Sequence, residues 1–160
     1  MKRIILIAFS ILLVICCSRC SNEPEAPVAN FLIQKDTIIE NKKQRIEVDK
    51  INISEQVYFV SKSNAMFNSI WPGDSLKVGK ITVFQDYNLN QSTVNLVVNK
   101  LDSLNQIKTN PYQGIALPSG TVELAYTFQS KGVLTITWIA TNCNSEICDS
   151  DILQKTITVE

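Results

Sequence analysis

The stretch Gly132-Val133-Leu134-Thr135-Ile136-Thr137-Trp138-Ile139-Ala140-Thr141-Asn142 decides the fold class. Leu134, Ile136, Trp138 and Ala140 share one parity, with Thr135, Thr137 and Thr141 between them. A strand sends successive side chains to opposite faces, so this run predicts one buried face and one mostly wetted face. Its Val, Ile and Thr residues lose χ1 freedom in a helix and suit a pleated, half-buried surface. Gly132 and Asn142 bracket it as turn residues. It reads as the central strand of an antiparallel sandwich.

The same signals recur on either side. Residues 122–128 form a strand that turns through Gln129-Ser130-Lys131-Gly132; after Asn142 come a loop over 143–150 and a closing strand over 152–159. Earlier, residues 29–33 are a short strand, and 37–40 and 45–48 are further β pieces around a polar turn, Asn41-Lys42-Lys43-Gln44. Ile51-Asn52-Ile53 leads into 57–60, and 66–71 ends at Pro72-Gly73-Asp74-Ser75. That turn has a mechanism: proline fixes φ, glycine permits positive φ, and Asp and Ser bond to the local backbone. Residues 78–84 and 93–98 are strand-like, Asp86-Tyr87-Asn88-Leu89-Asn90 is a loop, and 114–120 approaches the next strand. Over 99–113, Leu101, Leu104 and Ile107 have helical spacing among Asn and Pro, which reads as a loop with one helical turn. Short strands with Gly, Pro and Asn turns and no long helical period predict an all-β sandwich or barrel.

The chain has 160 residues, 15 basic and 15 acidic. Without the first sixteen it loses Lys2 and Arg3, so 13 basic face 15 acidic, a net charge of −2. That balance favours neither nucleic acid nor an anionic surface, and no nucleic-acid partner is expected. There is no histidine. The commonest neutral-pH base, the commonest transition-metal ligand and the usual Ser-His or Cys-His systems are therefore missing. Neither enzyme activity nor a metal or other cofactor is expected.

The start of the chain reads as an address. Met1-Lys2-Arg3 is basic, and residues 4–15 are a twelve-residue apolar run with one polar member, Ser10. A bilayer span needs about 20 residues, so this run fits the hydrophobic region of a signal peptide. It ends in Val14-Ile15-Cys16-Cys17 without an Ala-x-Ala site, which resembles a bacterial lipobox. Cys16 follows bulky Ile15, Cys20 follows charged Arg19, and Cys17 follows the small Cys16, so Cys17 is the expected lipidated residue. An ordinary secretory signal or uncleaved anchor is the alternative. Residues 1–16 are then the signal peptide, 17–28 a polar, Pro-containing flexible tether, and 29–160 the domain. The expected location is the bacterial outer membrane, periplasmic or surface-facing, with the bilayer as partner through the lipid.

Several segments resemble the PKD-type immunoglobulin-like domain, particularly variants on lipoproteins of the Bacteroidetes. Tyr126-Thr127-Phe128, the stretch from Gly132 to Asn142, and Lys155-Thr156-Ile157-Thr158-Val159 carry most of the likeness. Residues 51–59, Trp71-Pro72-Gly73-Asp74-Ser75 and Gly114-Ile115-Ala116-Leu117-Pro118 add to it. The resemblance implies an immunoglobulin-like sandwich with Leu134, Ile136, Trp138 and Ala140 in the core. It also implies protein or carbohydrate contact rather than a reaction. Two departures stand out. Ile70 falls where the family's Trp would be, leaving the parity of that strand open, and residues 76–118 are longer than an ordinary PKD domain allows.

Cys143-Asn144-Ser145-Glu146-Ile147-Cys148 closes a short loop, and in an oxidising compartment a disulfide is expected, contributing about 2–3 kcal/mol. Cys20 would then be an odd thiol. Asn144, Glu146, Asp149 and Asp151 make the loop oxygen-rich, but their spacing fits no EF-hand and turn residues belong there anyway. Asp74 and Asp86 could be an acid/base pair only with a cleft between them, and otherwise read as loop carboxylates. Trp138 is on the inward parity, whereas Trp71, with Tyr58 and Tyr87, is the candidate exposed platform for a sugar ring. Asp36-Thr37-Ile38, Asp74-Ser75-Leu76 and Asp102-Ser103-Leu104 resemble a Bacteroidetes O-glycosylation signal. The leading expectation is a lipid-anchored envelope module, binding or spacer, that contacts protein or carbohydrate. The alternative is a glycan-binding accessory lipoprotein of a polysaccharide-uptake system, and a two-carboxylate hydrolase comes third.

Overall fold

The computed structural model describes residues 25–74, 81–85, 90–94, 115–144 and 147–160. These form strands β1 (Phe31–Ile39), β2 (Lys42–Glu47), β3 (Lys50–Ile51), β4 (Gln56–Ser61), β5 (Phe67–Trp71) and β6 (Ile81–Gln85). They continue with β7 (Asn90–Val94), β8 (Ile115–Leu117), β9 (Thr121–Thr127), β10 (Gly132–Cys143) and β11 (Cys148–Val159). One sheet has the order β2-β1-β4-β9-β6-β7 and the other β3-β11-β10-β5-β8. Every pairing is antiparallel except that of β3 with β11.

Placing β1, β4, β9 and β6 against β5, β10 and β11 reproduces the ABED and CFG sheets of the immunoglobulin fold. The molecule is thus an all-β, immunoglobulin-like sandwich. β2 and β7 extend the first sheet at its edges, β8 extends the second beyond β5, and β3 lies along β11.

β10 is central in its sheet, between β11 and β5. Ile136, Trp138 and Ala140 face the interior and are fully buried, with Leu134 packed at the margin. Trp138 stacks on Phe31 of the opposite sheet at 5.3 Å between ring centroids. Phe59, Tyr126 and Phe128 continue the aromatic core at centroid distances of 5.0–6.2 Å. Each such pair adds about 0.5–1.5 kcal/mol beyond the area it buries. The open parity of β5 is resolved by its register: Ile70 stands opposite Trp138 and enters the core, while Trp71 stands opposite Thr137 on the outer face.

Five expectations need correction. The outer face of β10 is wetted only at its start, at Val133 and Thr135, because Thr137, Ile139 and Thr141 are buried. The pieces expected at 29–33 and 37–40 are one strand, β1, joined to β2 by the two-residue turn Glu40-Asn41. Both turn residues have positive φ, 51° and 60°, the type I′ geometry that matches strand twist, so Lys42, Lys43 and Gln44 lie in β2 rather than in a turn. The loop expected over 143–150 is shortened, since the β10–β11 ladder takes in Cys143 and residues 148–150, with Cys143 opposite Cys148. Asn142 is therefore not a bracket but a buried linker within β10: it accepts from the Met66 N–H at 2.7 Å and donates to the Glu25 carbonyl at 2.8 Å.

Candidate functional site

At the β10–β11 tip, Cys143 and Cys148 face each other across the ladder and are joined as a disulfide. Just beyond them the Asn144 N–H donates to the Ile147 carbonyl at 2.9 Å, and the Ile147 N–H returns to Asn144 Oδ1 at 2.7 Å. Acidic oxygens near the tip serve the backbone. Asp149 Oδ1 accepts from Ser150 N–H, Asp151 Oδ1 from Ile152 N–H, and Asp151 Oδ2 from Ala29 N–H at 2.8 Å. Among the described residues no group of three His, Cys, Asp or Glu could hold a metal ion; Glu146 lies outside them.

The aromatic platform is not assembled. Trp71 is only 3% exposed and packs against Ile139 and Ile152, so it offers no open face to a sugar. Its reason is local: the register that turns Ile70 inward forces Trp71 onto the outer face beside Ile139, where apolar neighbours cover it. Tyr58 lies on β4 in the other sheet, and the Arg45 guanidinium sits 3.9 Å from its ring centroid. Tyr87, Cys17, Cys20 and Asp86 lie outside the described residues. Of the three glycosylation-like tripeptides, Asp36-Thr37-Ile38 is in β1 with Thr37 opposite Gln44, and Ser75 and residues 102–104 lie outside the described residues.

Asp74 is buried and structural. One carboxylate oxygen accepts from the Gln129 N–H at 2.6 Å, and the other from the Ser130 hydroxyl at 2.7 Å, which ties the end of β5 to the β9–β10 corner. Burial, then the Asp74 charge, push the Tyr126 phenol far above its ordinary range.

The outer face of the first sheet carries a charged lattice. Asp36 accepts from Arg45 Nε at 3.2 Å, from Tyr58 at 3.0 Å and from Lys43 at 3.0 Å. Arg45 reaches across Tyr58 to Glu123 on β9. The Lys43 hydrogen bond, outweighing a smaller opposing effect of burial and aided by Tyr58 and Arg45, holds the Asp36 carboxyl below its ordinary value. These groups satisfy one another.

A cleft of about 470 Å³ opens at the end of the sandwich where β4 ends and β9 begins. Ser61, Lys62, Ser63, Asn68 and Glu123 line it. Asn68 is 5% exposed and accepts from the Trp138 indole N–H at 2.8 Å. An indole can only donate, so that bond fixes Oδ1 toward Trp138 and leaves Nδ2 as the end of this cleft-lining side chain without a partner among the described residues. No sequence motif marks this place. The available signal was one polar residue sharing parity with Ile70 in an apolar strand.

No protein-family model matches the chain, and no curated protein is detectably similar to it. What fold and geometry define is a class: an immunoglobulin-like sandwich with a disulfide-closed hairpin.

Proposed function

We propose that the protein is a lipid-anchored module of the bacterial cell envelope that binds a partner or spaces one from the membrane, with Cys17 as the acylated residue. The observation that carries this reading is the basic start and twelve-residue apolar run leading into Val14-Ile15-Cys16-Cys17, ahead of a sandwich whose first strand begins at Phe31. The PKD-type resemblance supports it, since such domains mediate protein or carbohydrate contact. The reading assigns no reaction to the sandwich and places it at the outer membrane. Because Trp71 is buried, stacking on that ring is not part of the proposal.

The expected tether spans residues 17–28. Residues expected at its end are held: the Val28 N–H donates to Asn64 at 2.8 Å, Pro27 is buried, and the Glu25 carbonyl accepts from Asn142. Growth with a palmitate analogue should label the protein, and Cys17→Ala should abolish the label. Absence of label, or label surviving the substitution, sinks the assignment.

A further inference from the structure

The cleft at the β4–β9 end presents an unusual set of hydrogen-bonding groups. Asn68 Nδ2 has no partner among the described residues although the residue is only 5% exposed. A buried amide donor left unmade is costly, and in native structures it usually meets a water or a ligand. Ser61 and Ser63 accept backbone N–H groups, from Ser63 at 3.2 Å and Ala65 at 3.0 Å, so each keeps its own O–H to donate. Neither hydroxyl hydrogen is donated to a described residue. Lys62 is an exposed cation that also lines the cleft, and its backbone is fixed by an N–H bond of 2.8 Å to the Asn30 carbonyl. The acceptor at the wall is Glu123, already held by Arg45 on the sheet's outer face.

Three neutral donors and one cation select a ligand rich in acceptors, and the single carboxylate opposite suits a ligand hydroxyl. A volume of about 470 Å³ admits a small molecule of one or two rings. We propose that this cleft binds a small polyhydroxylated acid of the uronic-acid type. Its carboxylate meets Lys62 and the Asn68 amide, and its hydroxyls meet Ser61, Ser63 and Glu123. The inference rests on the binding half of the proposed function and is independent of the anchor.

The test is a titration of the purified full-length chain in detergent with galacturonate, read by the side-chain amide signals of Asn68 in nitrogen–proton spectra. Galactose is the neutral control. Saturable movement of the Asn68 amide by galacturonate, with galactose weaker, is the expected result. Lys62→Ala, at an exposed position, should weaken galacturonate by about two- to fivefold and leave galactose unchanged. Asn68→Asp keeps the acceptor for Trp138 and replaces the donor, so affinity should fall about tenfold or more. If that variant does not fold, the wild-type titration and Lys62→Ala still decide. An unmoved Asn68 amide overturns the site and leaves water as the amide's partner. Equal response to galactose overturns the carboxylate. Palmitate labelling is unaffected by either result, so the anchor stands or falls separately.

Discussion

At Gly73 the backbone leaves no room for a side chain. Its φ is +75°, and a Cβ there would sit 2.5 Å from the Thr135 carbonyl oxygen, a rigid main-chain atom of β10. Gly73→Ala should therefore cost about 2 kcal/mol or more, combining the left-handed penalty with the clash. A urea denaturation midpoint unchanged from wild type would refute this. Asp36 gives a pH dependence with a definite sign. Its folded pKa is depressed, so its stabilising share is present above the ordinary carboxylate value of about 3.9 and is lost as pH falls through the lowered value. That share should hold from neutral pH down to about 4 and fall below it, with Asp36→Asn reducing the acid slope. An identical slope in the variant would place the acid sensitivity elsewhere. At this scale the sequence was a poor guide to sites. Trp71, beside Pro72, looked like a surface ring to set with Tyr58 and Tyr87, yet one step of register turned it against Ile139. Asn68 looked unremarkable, and only its bond to Trp138 reveals which end of the amide is left over.

Strand β10 was legible because its inner face alternates and its partners lie in the core; its type, its centrality and its inner residues all followed from parity. Its outer face was not legible, since Thr137 and Thr141 are buried and tied to their cross-strand partners on β11: Gln154 donates to Thr137 at 2.9 Å, and Ser150 pairs with Thr141 at 2.9 Å. β1 failed for the opposite reason. Beyond Gln34 its only strand partner is the fully exposed β2, so the alternation that marks a strand fades and one element reads as two. The Glu40-Asn41 turn was hidden as well, because Glu seldom adopts positive φ and nothing in its chemistry announces that it does. The disulfide was legible from the spacing of its cysteines and the compartment expected for them, and it closes the hairpin at the last rung of the ladder. Converting Cys143 and Cys148 together to Ser should cost about 2 kcal/mol, the small value expected for so short a loop. Thermal unfolding checks the magnitude. Alkylation of the folded wild type at both cysteines without reductant would contradict the bridge itself.

The whole sandwich has two unlike poles. At one pole lie the disulfide hairpin, the cleft, and the first described residues, with Ala29 bonded to Asp151 and Val28 to Asn64. At the other, the Glu160 N–H donates to Ile51 at 3.0 Å, and β1 runs on past β4. Only Phe31 through Gln34 of its nine residues pair with β4, so the β1–β2 hairpin projects as a two-stranded arm. Ile38 on that arm is 76% exposed. Glu25 is eight residues from Cys17, a reach of at most about 28 Å. Lipidation at Cys17 would therefore hold the disulfide pole toward the bilayer and point the β1–β2 arm away from it. The arm would then be first to meet another envelope component, and the cleft would face the space next to the membrane, open to small solutes rather than long polymers. A fluorescent unnatural amino acid at position 147 should be quenched by nitroxide lipids in reconstituted vesicles, and one at position 41 should not. Equal quenching at both would mean that the sandwich lies flat, and the reverse pattern would invert the arrangement. In Cys17→Ala protein both signals should lose their dependence on the vesicle, which separates an orientation imposed by the lipid from one imposed by the sandwich surface.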